Sequence, residues 1–174
     1  MIVSTEKPSA RPRETGWDIR FLDGVGPLMF GMTRAQVATV LDASFPLTGS
    51  SDEGESFLRE VRGLHTPICH YKHGELFLID THPEVSSVTL DGHLIYEMDP
   101  QRLLRDLERR NGGVEAWCGF VVFNTIGVNT EGFYDIRSSR YYDSGDRDSL
   151  GFGVYWPDAE TRAQATTALV LPAS

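Results

Sequence analysis

Histidine, cysteine and acidic side chains are the groups in this chain whose spacing could support chemistry, and they gather in a few places. His65, Cys69, His70 and His73 fall within nine residues, and nitrogen and sulfur donors that close together are the raw material of a zinc site. Two features oppose that reading. Cys69 and His70 are adjacent, so on a strand they point to opposite faces, and no second donor pair stands at finger-like spacing. His82 follows Asp80, and His93 follows Asp91. A carboxylate beside an imidazole can orient it as a general base. Both pairs, however, sit where turns are expected, and there such residues are routine. Asp143, Asp146 and Asp148 have the charge of a calcium loop but lack its alternation and its closing glutamate. There is no G-x-S-x-G elbow, no G-x-x-x-x-G-K-[ST] loop and no helix-opening G-x-G-x-x-G. The residues are therefore read as giving no catalytic group, no metal ligand and no cofactor.

Composition narrows the rest. The 174 residues include 25 acidic and 16 basic side chains, a net charge of -9. Such a chain repels phosphates, which argues against nucleic acid and in favour of solubility or a basic protein partner. Cys69 and Cys118, the only cysteines, are too few and too far apart for a disulfide framework and read as buried free thiols. No apolar run approaches the ~20 residues that span a bilayer, and the first residues lack an export-type apolar segment. The expectation is a cytoplasmic protein without membrane contact.

The elements that must position any site are organised around Gly24 to Leu41. Gly24, Gly26 and Pro27 punctuate the chain, and Leu28 to Phe30 is a short apolar run. Thr33 and Gln36 have capping-box spacing, and Val37, Val40 and Leu41 give one apolar face. The prediction is a helix from Arg34 to Leu41, with Pro46 beyond its end. A second helix is predicted over 100–111. Asp99 caps it, Pro100 opens it, Leu103, Leu104 and Leu107 form its buried stripe, and Asn111-Gly112 stops it. Strand readings are Trp17 to Val25, Ser56 to Val61, a hairpin of Ile68–Lys72 with Glu75–Asp80, Val85 to Leu90, His93 to Tyr96, Phe120 to Phe123, Gly132 to Ile136 and Gly151 to Trp156. Thr48 to Glu55 and Arg137 to Ser149 read as loops, and Pro157 to Ala168 reads as a short helix. Residues 1–15 form a polar tail before one α+β domain over 16–174. That domain would have a mostly antiparallel sheet with helices packed on one face, and the element order admits two copies of a helix-plus-sheet unit, 16–96 and 97–174.

The run Gly31-Met32-Thr33, followed by Val37, Leu41 and Pro46, resembles the SmpA/BamE-like modules of bacteria over residues 24–46. The resemblance implies a sheet-and-helix scaffold used for binding. The absence of a lipidated N-terminal cysteine separates this chain from that family's outer-membrane lipoproteins.

The functional expectation is a small acidic immunity protein that neutralises a basic toxin domain through protein contacts. Asp52, Glu53 and Glu55 in one acidic loop, and Tyr141, Tyr142, Asp143, Asp146 and Asp148 in another, are the expected contact residues, because exposed aromatics beside acids make good anchors. The competing readings are a small hydrolase or small-molecule binder using the Asp/His pairs, and a structural subunit of a larger assembly.

Overall fold

A computed structural model describes residues 16–41, 45–52, 57–142, 149–158 and 166–172. Helix α1 (Arg34–Leu41) forms as the sequence predicts. Its capping box closes in both directions: the Thr33 N–H donates to Gln36 Oε1 (2.8 Å), and the Gln36 N–H donates to Thr33 Oγ1 (3.4 Å). Val37 and Leu41 are its buried residues. Helix α2 (Pro100–Asn111) also has the predicted bounds. Asp99 accepts the Arg102 N–H at its start, and Gly112 ends it in the left-handed conformation at φ 82°. Leu103, Leu104 and Leu107 are fully buried.

These two helices do not define the architecture, which corrects the α+β expectation of helices laid on one face of a sheet. Strand dominates, in three sheets. The first joins β1 (Trp17–Arg20), β2 (Gly24–Val25), β3 (Leu28–Met29), β8 (Val88–Leu90) and β9 (His93–Leu94) in the order β3-β2-β1-β8-β9. The pairing of β1 with β8 is parallel and the others are antiparallel. The expected single strand from Trp17 to Val25 is thus a tight reversal. Leu22 adopts φ 61°, and the Asp23 N–H donates to Arg20 O (3.1 Å). Gly26 is needed where it stands, since a Cβ there would meet Gly16 O at 2.8 Å and the Trp17 ring at 2.9 Å.

The large sheet holds nine strands. These are β4 (Gly49–Asp52), β5 (Phe57–Val61), β6 (Ile68–Lys72), β7 (Glu75–Thr81), β10 (Glu115–Trp117), β11 (Phe120–Phe123), β12 (Val128–Glu131), β15 (Gly151–Tyr155) and β16 (Thr167–Ala168). Their order is β16-β10-β11-β12-β15-β7-β6-β5-β4, and every pairing is antiparallel. Because β15 pairs with β7, strands from residues 16–96 and from 97–174 share one sheet. β13 (Tyr134–Asp135) and β14 (Arg140–Tyr141) form a separate ribbon.

Three strands fall where loop or helix is expected, and each is recruited by a neighbour. Gly49–Asp52 pairs residue for residue with β5, Thr167–Ala168 pairs with β10, and Arg140–Tyr141 pairs with β13. Local propensity is a weak guide when a ready edge supplies the hydrogen bonds. The middle of the expected last helix, 159–165, lies outside the described residues.

One face of the large sheet builds the core. Val121, Phe123, Val128, Phe152, Val154, Ile79 and Cys69 line it, against Trp17, Ile19, Leu28, α1 and α2. The Thr81 hydroxyl donates to Phe152 O (3.0 Å) and lies 2.8 Å from the Tyr96 hydroxyl, which ties the sheet to the layer above it. A charged cluster is sealed into this side. Glu60 accepts from Arg34 Nε (2.6 Å) and from the Tyr71 hydroxyl (3.1 Å), with Arg62 Nη2 at 3.5 Å. The Glu60 and Arg62 side chains are each only 2% exposed. Replacing Glu60 with Ala removes the carboxylate that both guanidiniums face. Its expected cost is about 3–5 kcal/mol, and Tyr71→Phe should cost about 1–2 kcal/mol. Urea unfolding of the three proteins measures both losses.

Candidate functional site

The histidine and cysteine residues do not converge. Cys69 is fully buried on the core face of β6, and burial pushes its thiol up to about 12. His70, on the opposite face, places Nε2 2.8 Å from Asp80 Oδ2. His65 pairs through Nδ1 with Glu84 O (2.9 Å), and His73 is exposed in the two-residue turn between β6 and β7. Among the described residues no group of three or more His, Cys, Asp or Glu side chains is arranged to hold a metal. Cys118 differs from its expected burial. With Gly119 it forms the left-handed tip of the β10–β11 hairpin (φ 48° and 94°) and is exposed. Both thiols are free. Native protein should therefore consume one equivalent of a thiol-reactive dye rapidly, at Cys118, and the second only in denaturant; a timed colorimetric titration reads this.

The two Asp/His pairs part company. Asp91 sits in a turn (φ 51°), where its carboxylate is taken by Arg110, and His93 is exposed. Asp80 and His82, two residues apart at the end of β7, line one groove with Asn129 and Glu131 from β12. Desolvation holds the His82 imidazole below its ordinary 6.5, although Glu84 and Asp80 oppose that shift. A base whose pKa is lowered by folding binds fewer protons when folded than when unfolded. Stability should consequently decline as pH falls through about 6.5. Thermal unfolding of wild type and His82→Asn between pH 7.5 and pH 5.5 should show a shallower acid decline in the variant.

The expected contact residues are divided. Glu53, Glu55, Asp143, Asp146 and Asp148 lie outside the described residues, and Asp52 is the last residue of β4. Their flanking strands lead to opposite ends of the large sheet. Asp52 pairs with Leu58 beside the β6–β7 turn, whereas Gly151, where β15 starts, pairs with Glu131 at the other end. Tyr141 is folded back. Its ring packs edge-on against Tyr134 at 5.2 Å, and its hydroxyl donates to Pro172 O (3.3 Å). Burial raises its pKa. Tyr142 is half-buried, and its N–H donates to Phe133 O (3.2 Å).

The exposed aromatic is a different one. The alternation Phe152, Val154, Trp156 places Trp156 inward, but β15 ends at Tyr155 and the indole is 50% exposed. Its own N–H still donates to Phe77 O (2.8 Å), so the backbone is anchored while the ring stands out. Trp156 lines a groove of about 630 Å³ with Leu22, Phe30, Phe77, His73 and Glu75, and with Asp158, whose carboxylate accepts from Lys72 Nζ (2.7 Å). Leu22 is itself 38% exposed. The Phe57 and Phe77 rings meet edge to face at 5.8 Å beneath Lys72, which lies 5.7 Å above Phe57. The following Pro157-Asp158 is the local cue that β15 stops before Trp156.

Comparison of the chain with protein-family models, with curated proteins and with solved structures returned no match. The likeness of residues 24–46 to SmpA/BamE-like modules rests on those residues alone.

Proposed function

We propose that the chain is a non-catalytic, cytoplasmic protein-binding module of the immunity type, neutralising a toxin domain that presents a basic surface. The half-exposed indole of Trp156, set in a groove with Leu22 and rimmed by carboxylates, carries the reading. Tryptophan dominates binding energy where a ring is anchored at its backbone and offers its face to a partner. Glu75 and Asp23 are exposed at this groove. Asp52, the last residue of β4, lies at the same end of the sheet, since Asp52, Leu58, Tyr71 and Leu76 are successive cross-strand neighbours. The charged lining of this groove, Asp23, Glu75 and Asp158 against Lys72, is acidic on balance and suits a basic partner, and the net charge of -9 speeds the encounter. No helix among the described residues is long and apolar enough to cross a membrane.

The test is co-expression with the product of the adjacent gene, then affinity capture at about 0.05 M and about 0.5 M salt, where screening lengths differ several-fold. A complex is expected that weakens in high salt and loses at least about 2 kcal/mol with Trp156→Ala. Leu64→Ala, a substitution of an exposed apolar residue elsewhere, should leave it intact. A complex indifferent to Trp156→Ala removes this surface, and no complex at low salt removes the binding reading.

A further inference from the structure

Two glycines, Gly151 and Gly153, lie on β15, at the middle of the nine-stranded sheet. Neither has a left-handed φ, so the backbone does not demand glycine at either position. Glycine inside a central strand weakens it, and its use there commonly makes room for something above the sheet. At Gly153 the room is specific. Asp80 of β7 and Asn129 of β12 are its direct cross-strand neighbours. A Cβ on Gly153 would stand 2.7 Å from Asp80 Oδ1 and 2.5 Å from Asn129 Oδ1. Two acceptor oxygens from different strands thus lean over the same bare stretch of backbone.

The surrounding groups fit one kind of ligand. Asp80 Oδ2 lies 2.8 Å from His70 Nε2, and Oδ1 stands over Gly153. One rung along, Glu131 is paired with Gly151, and His82 and Phe120 complete a trough of about 440 Å³. Among the described residues no lysine or arginine lines it. Two carboxylates and an amide oxygen, with no cation other than an imidazole among the described lining residues, call for a donor-rich positive group. Hydrogen bonds from such a group to carboxylates are short and about twice as strong as neutral ones, and an aromatic wall adds attraction for a cation.

We propose that this trough binds an organic cation, an ammonium or guanidinium group, seated above Gly153 between Asp80 and Asn129, with Glu131 as the second negative charge and Phe120 as its wall. The cation is either a free amine or the tip of a lysine or arginine side chain. The site lies on the outer face, at the opposite end of β7 and β15 from Trp156, and it stands or falls independently of the toxin-binding reading.

Calorimetric titration of the full chain tests it, with n-butylammonium, n-butylguanidinium, a blocked Gly-Lys-Gly peptide and neutral n-butanol as probes. At least one cation is expected to saturate the site, whereas butanol does not. Asp80→Asn and Gly153→Ala should each weaken it about tenfold or more (~1.4 kcal/mol). Because Gly153→Ala strains the sheet, Glu131→Gln, at an exposed position, is the second variant, with an expected several-fold loss. Asp158→Asn, at the far groove, should change nothing. Equal affinity for free amine and peptide assigns the site to small amines, and binding of the peptide alone assigns it to a protein side chain. No saturable binding by any cation, or affinity unchanged in both Asp80→Asn and Glu131→Gln, overturns the proposal.

Discussion

Everything in this fold leans on the antiparallel pairing of β15 with β7. Four residue pairs, Phe152 with Thr81, Gly153 with Asp80, Val154 with Ile79 and Tyr155 with Leu78, join the N-terminal meander β4–β7 to the C-terminal meander β10–β12. Without that seam each group of strands would keep an open edge and only its own part of the core. With it, Ile79, Val154, Val128 and Phe123 form one unbroken apolar row on the inner face. The seam also decides where polar groups meet. It brings Asp80 and Asn129, on strands far apart in the chain, to either side of Gly153.

The two faces of the seam follow different chemistry. Inward, side chains are mostly apolar, and the charges of Glu60 and Arg62 are paired, where isolated buried charges would be prohibitive. Outward, glycine replaces side chains on β15, and carboxylates, an imidazole and an amide are left to face solvent. A β-sheet with one dry face and one shaped wet face is a natural platform for recognition.

What could be read from the sequence tracks how local the causes are. Both helices were legible to the residue, because a cap, an apolar stripe and a stop are all written within a dozen positions. The β6–β7 hairpin was legible from His73-Gly74. Gly49–Asp52 was not, since Gly-Ser-Ser-Asp reads as a loop and becomes a strand only through β5. The Asp80/His82 pair was visible as a pair, but nothing local announces that Asn129 and Glu131 stand across from it. Trp156 was misplaced for a similar reason: alternation continues through it, while the strand ends one residue earlier.

Among the described residues, β4 is the outermost strand of the large sheet, with no strand paired beyond Gly49, Ser50, Ser51 and Asp52. Such an edge is a template on which a second molecule can grow the sheet. The net charge of -9 on each of two approaching molecules opposes such growth. Mutual repulsion of this kind has a short range in brine and a long range in dilute buffer. The opposition this charge offers to edge-to-edge stacking therefore depends on the medium as much as on the fold.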